Sequence, residues 1–102
     1  MKRYITFAGL AFVLLQGTMA QTIVKPSVKT KTTFAIVTDS KSYEKAKHEI
    51  DAYRASVENE GLGTYILIDD WKTTQPIREL LIELHADRKA PLEGRVFVGD
   101  IP

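Results

Sequence analysis

Hydrophobic positions follow two rhythms along this chain. Thr32-Thr33-Phe34-Ala35-Ile36-Val37-Thr38, Thr64-Tyr65-Ile66-Leu67-Ile68 and Arg95-Val96-Phe97-Val98 are apolar or β-branched on consecutive residues. Such runs predict strands covered on both faces, as in a parallel sheet. Between the first two, Tyr43, Ala46, Ile50, Tyr53 and Val57 recur at steps of three and four, which predicts one helix with a single buried stripe. Lys41, Lys45, Glu49, Arg54 and Glu58 lie off that stripe and are expected to face water. Asp39, Ser40 or Ser42 can open this helix, and Gly61 can close it in the left-handed conformation. Ile77, Leu80, Leu81 and Leu84 form a second stripe, with Thr73 or Thr74 as its cap and Pro76 in its first turn. Pro91 stops this second helix, and Glu93-Gly94 reads as a turn before the last strand.

The order is therefore β-α-β-α-β, and the expected fold class is α/β with a parallel sheet. Right-handed crossovers place both helices on one face if the strands lie in chain order, and on opposite faces only if the first strand is central. Two helices leave part of three such strands bare in either case. Residues 32–102 are thus expected to be the N-terminal portion of a larger three-layer α/β/α domain, truncated at Gly99-Asp100-Ile101-Pro102, where a loop toward a further helix would begin. The partner this predicts is the rest of the same domain beyond Pro102. Residues 21–31 are polar and lysine-rich around Pro26 and read as a linker or a poor edge strand.

The first twenty residues read as an export signal. Met1-Lys2-Arg3-Tyr4 is a short basic start, Ile5 to Leu15 is apolar apart from Thr6 and Gly9, and Thr18 and Ala20 put small residues at −3 and −1 of a cut after Ala20. That is the order of a secretory signal peptide. The apolar stretch is shorter than the roughly 20 residues a spanning helix needs, so no stable membrane anchor is expected, and the product is read as secreted or periplasmic. Lys2 and Arg3 are the only charges removed, which takes 14 basic against 13 acidic residues to 12 against 13, a net charge of −1 on 82 residues. This balance gives no basic excess for nucleic acid, which is not expected as a partner. There is no cysteine, hence no disulfide framework, no Cys-based zinc site and no thiol nucleophile. A domain this small buries only about 60% of its unfolded surface, and poor autonomous folding is expected.

Candidate chemistry lies at the strand ends, because open parallel sheets bind ligands beyond the carboxyl ends of their strands. Asp39 follows the first strand, Asp69 and Asp70 the second, and Asp100 the third. Together they could hold a divalent cation, since hard cations prefer oxygen ligands. Taken singly, Asp39 is a helix cap, Asp69 and Asp70 are turn residues, and Asp100 satisfies loop amides. His48 lies off the apolar stripe and His85 closes the second helix, where the dipole favours a cation; they share no metal-ligand spacing. Ser40 and Ser42 lack a G-x-S-x-G setting. The turn Thr38-Asp39-Ser40-Lys41-Ser42 has no glycine, and Gly61-Leu62-Gly63 precedes a strand, so both nucleotide-binding fingerprints are missing. Trp71 reads as a lid on the sheet edge. No catalytic and no cofactor-binding residue is assigned.

The stretches Phe34-Ala35-Ile36-Val37-Thr38-Asp39, Ile50-Asp51-Ala52-Tyr53-Arg54, Gly61 to Leu67, Asp70-Trp71, Ile77-Arg78 and, most specifically, Val96-Phe97-Val98-Gly99-Asp100-Ile101-Pro102 together resemble the start of the gingipain-like cysteine peptidases. The likeness spans about Thr32 to Pro102. It implies a caspase-like (Rossmann-like) α/β/α sandwich, export, protein substrates, and cleavage by a His–Cys dyad whose members follow later strands. Neither His48 nor His85 matches the family's His-Gly pair, so this stretch is expected to be inactive by itself. Calcium is the one cofactor the resemblance implies, with no ligand assigned. A non-catalytic secreted α/β module that binds protein, polysaccharide or a divalent cation is the alternative expectation.

Overall fold

The computed structural model describes residues 21–102; the signal-peptide reading of residues 1–20 lies outside them. The elements are β1 (Thr22–Val24), β2 (Thr32–Asp39), α1 (Ser40–Lys45), α2 (Lys47–Asn59), β3 (Leu62–Asp69), α3 (Gln75–His85) and β4 (Leu92–Val98). They form a mixed four-stranded sheet in the order β1-β3-β2-β4. The first long strand, β2, is central, parallel to β3 from Thr32↔Leu62 to Asp39↔Asp69 and parallel to β4 on its other side. That is the arrangement in which successive crossovers of one hand put their helices on opposite faces.

The two faces divide the apolar residues cleanly. Ile36, Ile66 and Ile68 pack on one face with Ile50 of α2 and with Tyr43 and Ala46. Ala35, Val37 and Leu67 pack on the other with Ile77, Leu80, Leu81 and Leu84 of α3 and with Trp71. Because β2 and β3 bury alternate side chains in both layers, consecutive residues must be apolar; Ala35, Ile36, Val37, Ile66 and Leu67 are completely inaccessible. The α/β class and the three layers stand as the sequence implies. No helix among the described residues is long and apolar enough to cross a membrane.

Four sequence expectations need correction. The sheet is not wholly parallel: of the two readings of residues 21–31, linker or poor edge strand, the second holds for Thr22–Val24, which pairs antiparallel with Ile66–Ile68 as the edge strand β1. The single first helix is two, because Ala46 leaves helical dihedrals (φ −117°, ψ 27°). The bonds Ala46 N–H to Ser42 C=O (2.9 Å) and Ile50 N–H to Ala46 C=O (2.8 Å) persist across it, so the two pieces stay hydrogen-bonded through Ala46. Glu93-Gly94 is not a turn but part of β4, with the register slipping between Thr33↔Leu92 and Phe34↔Gly94 so that Glu93 bulges.

The fourth concerns the flank of α2. Tyr53, assigned to the buried stripe, is 45% exposed, whereas Arg54 and Glu58, assigned to water, have side chains only 18% and 8% exposed. The cause is the segment after β1, which lies against this flank. Glu58 accepts from the Ser27 amide (2.9 Å), the Ser27 hydroxyl (2.5 Å) and the Thr64 amide (3.1 Å), and Arg54 donates to the Lys25 carbonyl (3.1 Å). Burial would raise the Glu58 pKa, but these donors outweigh it and hold the carboxyl below its ordinary value. Gly63 completes the latch: a Cβ there would meet the Val28 carbonyl at 2.9 Å and Thr30 Oγ1 at 3.0 Å.

Candidate functional site

At the carboxyl ends of the strands the chain leaves β2 toward β3 on one side and returns to place β4 on the other. Ligand crevices form where the strand order reverses in this way. The observed cleft here is shallow, about 310 Å³, and is lined among others by Asp39, Lys41, Asp70, Trp71, Lys72 and Asp100.

Asp39 is its best-defined member. It caps α1 from extended backbone (φ −88°, ψ 160°), and its Oδ2 accepts the Ser42 amide at 3.0 Å. Its Oδ1 accepts the Asp100 amide at 2.8 Å, across 61 residues of sequence. One carboxylate therefore ties the start of α1 to the loop leaving β4. Burial opposes its ionisation, yet bonds from the Ser42 side chain, the Ser42 amide and the Asp100 amide prevail and lower its pKa. Gly99 makes the approach possible. Its φ is +98°, and a Cβ there would overlap Asp39 Oδ1 and Ser42 Oγ.

The other three aspartates do not converge on Asp39. Asp69 is its register partner on β3, but Asp69 Oδ1 accepts the neighbouring Asp70 amide at 2.6 Å. Asp70 and Asp100 are exposed, and Asp100 joins Asp39 through its backbone and not its carboxylate. Among the described residues no group of three His, Cys, Asp or Glu side chains is placed to hold a metal ion. Lys41 and Lys72 line the same cleft, so its charge is mixed. Cap and turn roles are thus seen for the Asp39 and Asp69 carboxylates.

The remaining candidates are apart. His48 is exposed on α2, and His85 on α3 lies across the sheet with Nδ1 3.0 Å from the Leu92 carbonyl. Trp71 is 9% exposed, and its indole N–H donates to the Thr38 carbonyl at 2.9 Å. It closes the α3 layer at the end of β2, a core role. Ser42 is half-buried against Asp39, and Ser40 is exposed. Sequence reasoning missed Gly99, although a glycine directly after a strand and before an aspartate is a readable sign of a left-handed turn. It also missed the groove between α3 and β4, about 830 Å³, whose Phe97 sits on a strand read as fully covered. No protein-family model, no curated protein and no solved structure matches the chain.

Proposed function

We propose that these residues are the N-terminal portion of a secreted gingipain-like cysteine peptidase domain and contribute its first sheet layer, not its catalytic groups. The observation that supports this most is the sheet itself: β2, the first long strand, inside it, helices on both faces, and a β4 edge that no described strand covers. An edge with an exposed Phe97 (48%) fits a sheet continued by further strands. The sequence Val96-Phe97-Val98-Gly99-Asp100-Ile101-Pro102 carries the family likeness, and Gly99 with Asp100 closes the crevice above β2. The chemistry would come from a thiolate activated by histidine; with no cysteine in these 102 residues, their part is to support the crevice that such groups would flank. The test is the coding sequence after the Pro102 codon. An open frame with further α/β elements, a His-Gly after one strand and a cysteine after a later one supports the proposal, and a stop codon in that place defeats it.

A non-catalytic binding module is the second reading. The cleft beside Trp71, with both lysines and aspartates on its rim, favours it. Saturable binding of a protein or polysaccharide that is lost in Lys41→Ala/Lys72→Ala would favour this reading over the first.

A further inference from the structure

Gln21 stands one residue ahead of β1. Pairing on the β3 edge begins at Thr22↔Ile68 and ends at Val24↔Ile66, so the backbone nitrogen of Gln21 takes no part in the ladder. Gln21 and Thr22 are both exposed. The strand they lead into is only three residues long, yet it is the cover of the β3 edge, where Ile66 and Ile68 are 0% and 7% exposed. Chain ends of this kind are where proteolysis concentrates.

A cut after Ala20 turns that backbone nitrogen into a free α-amine. Such amines have a pKa of about 7.7–8.0, so a fraction is unprotonated and nucleophilic at neutral pH. The amine and the side-chain carboxamide belong to one residue, and attack of the nitrogen on Cδ closes a five-membered lactam. Presentation within one residue gives the amine a far higher effective concentration than any external nucleophile has. The N–Cδ bond forms, the Cδ–Nε2 bond breaks, and the proton shed by the amine leaves with the carboxamide nitrogen as ammonia. No oxidant, reductant or co-reactant is needed. All the atoms that move lie ahead of Thr22, so β1 keeps its pairing.

We propose that Gln21 is a modification site, closed to pyroglutamate in the exported product. This rests on the export reading, in which Gln21 is the first residue. The closed ring has lost the terminal positive charge and the free amine by which an exopeptidase grips a chain. Without that block, such a peptidase reaches β1 after removing a single residue and then strips the cover from β3.

The test uses the native product, recovered from culture medium or periplasm and reductively methylated at harvest to mark every free amine. Denaturation and chymotrypsin then release residues 21–34 for mass spectrometry. We expect methyl groups on Lys25, Lys29 and Lys31, none on the N terminus, and a mass lower than that of the linear peptide by one ammonia. A methylated α-amine on Gln21 would overturn the proposal and leave the export reading standing. A product that begins at any other residue would overturn the proposal together with the cut it rests on. Gln21→Asn, whose ring would have to be four-membered, should carry a methylated N terminus; loss of ammonia there as well would count against the lactam. Aminopeptidase should leave Thr22–Val24 on the native product and remove them from Gln21→Asn, and equal loss from both would overturn the protective role.

Discussion

Gly99→Ala and Gly61→Ala form a matched pair that isolates the Asp39 tie. Both glycines have positive φ, +98° and +99°, but a Cβ at Gly61 has nothing within 4 Å, whereas one at Gly99 would overlap Asp39 Oδ1 and the Ser42 side chain. Forcing a non-glycine residue into the left-handed region costs about 1–2 kcal/mol, so Gly61→Ala should lose about that much. Gly99→Ala should lose the same amount and, in addition, the Asp100 N–H bond to a carboxylate, a class of bond worth about 1.5–3 kcal/mol. The expected total is about 2.5–5 kcal/mol, against a whole-domain stability of roughly 4–12 kcal/mol for about 80 residues. Urea unfolding followed by the fluorescence of Trp71, the chain's one tryptophan, reads the difference directly. With a slope of about 1 kcal/mol/M the Gly99→Ala midpoint should fall about 1.5–3 M further than that of Gly61→Ala. Combining Gly99→Ala with Asp39→Ala should add less than the sum of the two, because both break one tie. Equal midpoints for the two glycine variants, or additive losses in the double variant, would refute the reasoning.

Other expectations follow from the same contacts. Asp39, Asp51 and Glu58 each have a carboxyl pKa lowered in the folded chain. Their contribution is complete above the ordinary values of 3.8 and 4.5 and is lost as pH falls through the lower folded values; urea midpoints taken from pH 7 to pH 2 should stay flat and then drop below about pH 4.5. Glu58→Gln should destabilise by about 1–2 kcal/mol and speed hydrogen exchange in Thr22–Val24, since Glu58 holds the Ser27 amide beside that strand; unchanged exchange there would remove the latch. Asp51→Asn should change stability by less than about 0.5 kcal/mol, because its Lys47 partner is exposed. Trp71→Phe should cost about 1–3 kcal/mol by leaving the buried Thr38 carbonyl without its donor. Millimolar calcium or magnesium should leave the melting temperature where it was, because the four strand-end aspartates do not converge; a rise of several degrees would show that they can.

Much of this fold is legible because periodicity records burial. The unbroken apolar runs at Ala35–Val37 and Ile66–Ile68 exist only because β2 and β3 face two layers, and the three- and four-residue steps through Ile50 and Ile77 mark the sides of α2 and α3 that meet the sheet. What the pattern hides is cover supplied from afar. Arg54 and Glu58 look solvated on a helical wheel because nothing local shows that Ser27, 31 residues earlier, will lie against them. Glu93-Gly94 has turn composition, yet the slip of register at Thr33/Phe34 absorbs Glu93 as a bulge and keeps both residues in β4. At the strand ends, residue type was a poor guide to assembly. Four aspartates suggest a shared ligand, but an aspartate serves equally well as a cap or turn acceptor, and Asp39 and Asp69 spend their oxygens on backbone amides. The positive-φ Gly99 that lets Asp39 reach Asp100 carries no hydrophobic signal at all.

The proposal that these residues begin a secreted peptidase domain is tested most directly on the native product. An antiserum raised against residues 21–102 should recover it from culture medium or periplasm, and intact-mass and N-terminal measurements then read its size and start. We expect an N terminus at Gln21, a mass well above that of 82 residues, and at least one thiol that reacts with iodoacetamide. A product that retains Met1, or one that ends at Pro102 and carries no thiol, would contradict it.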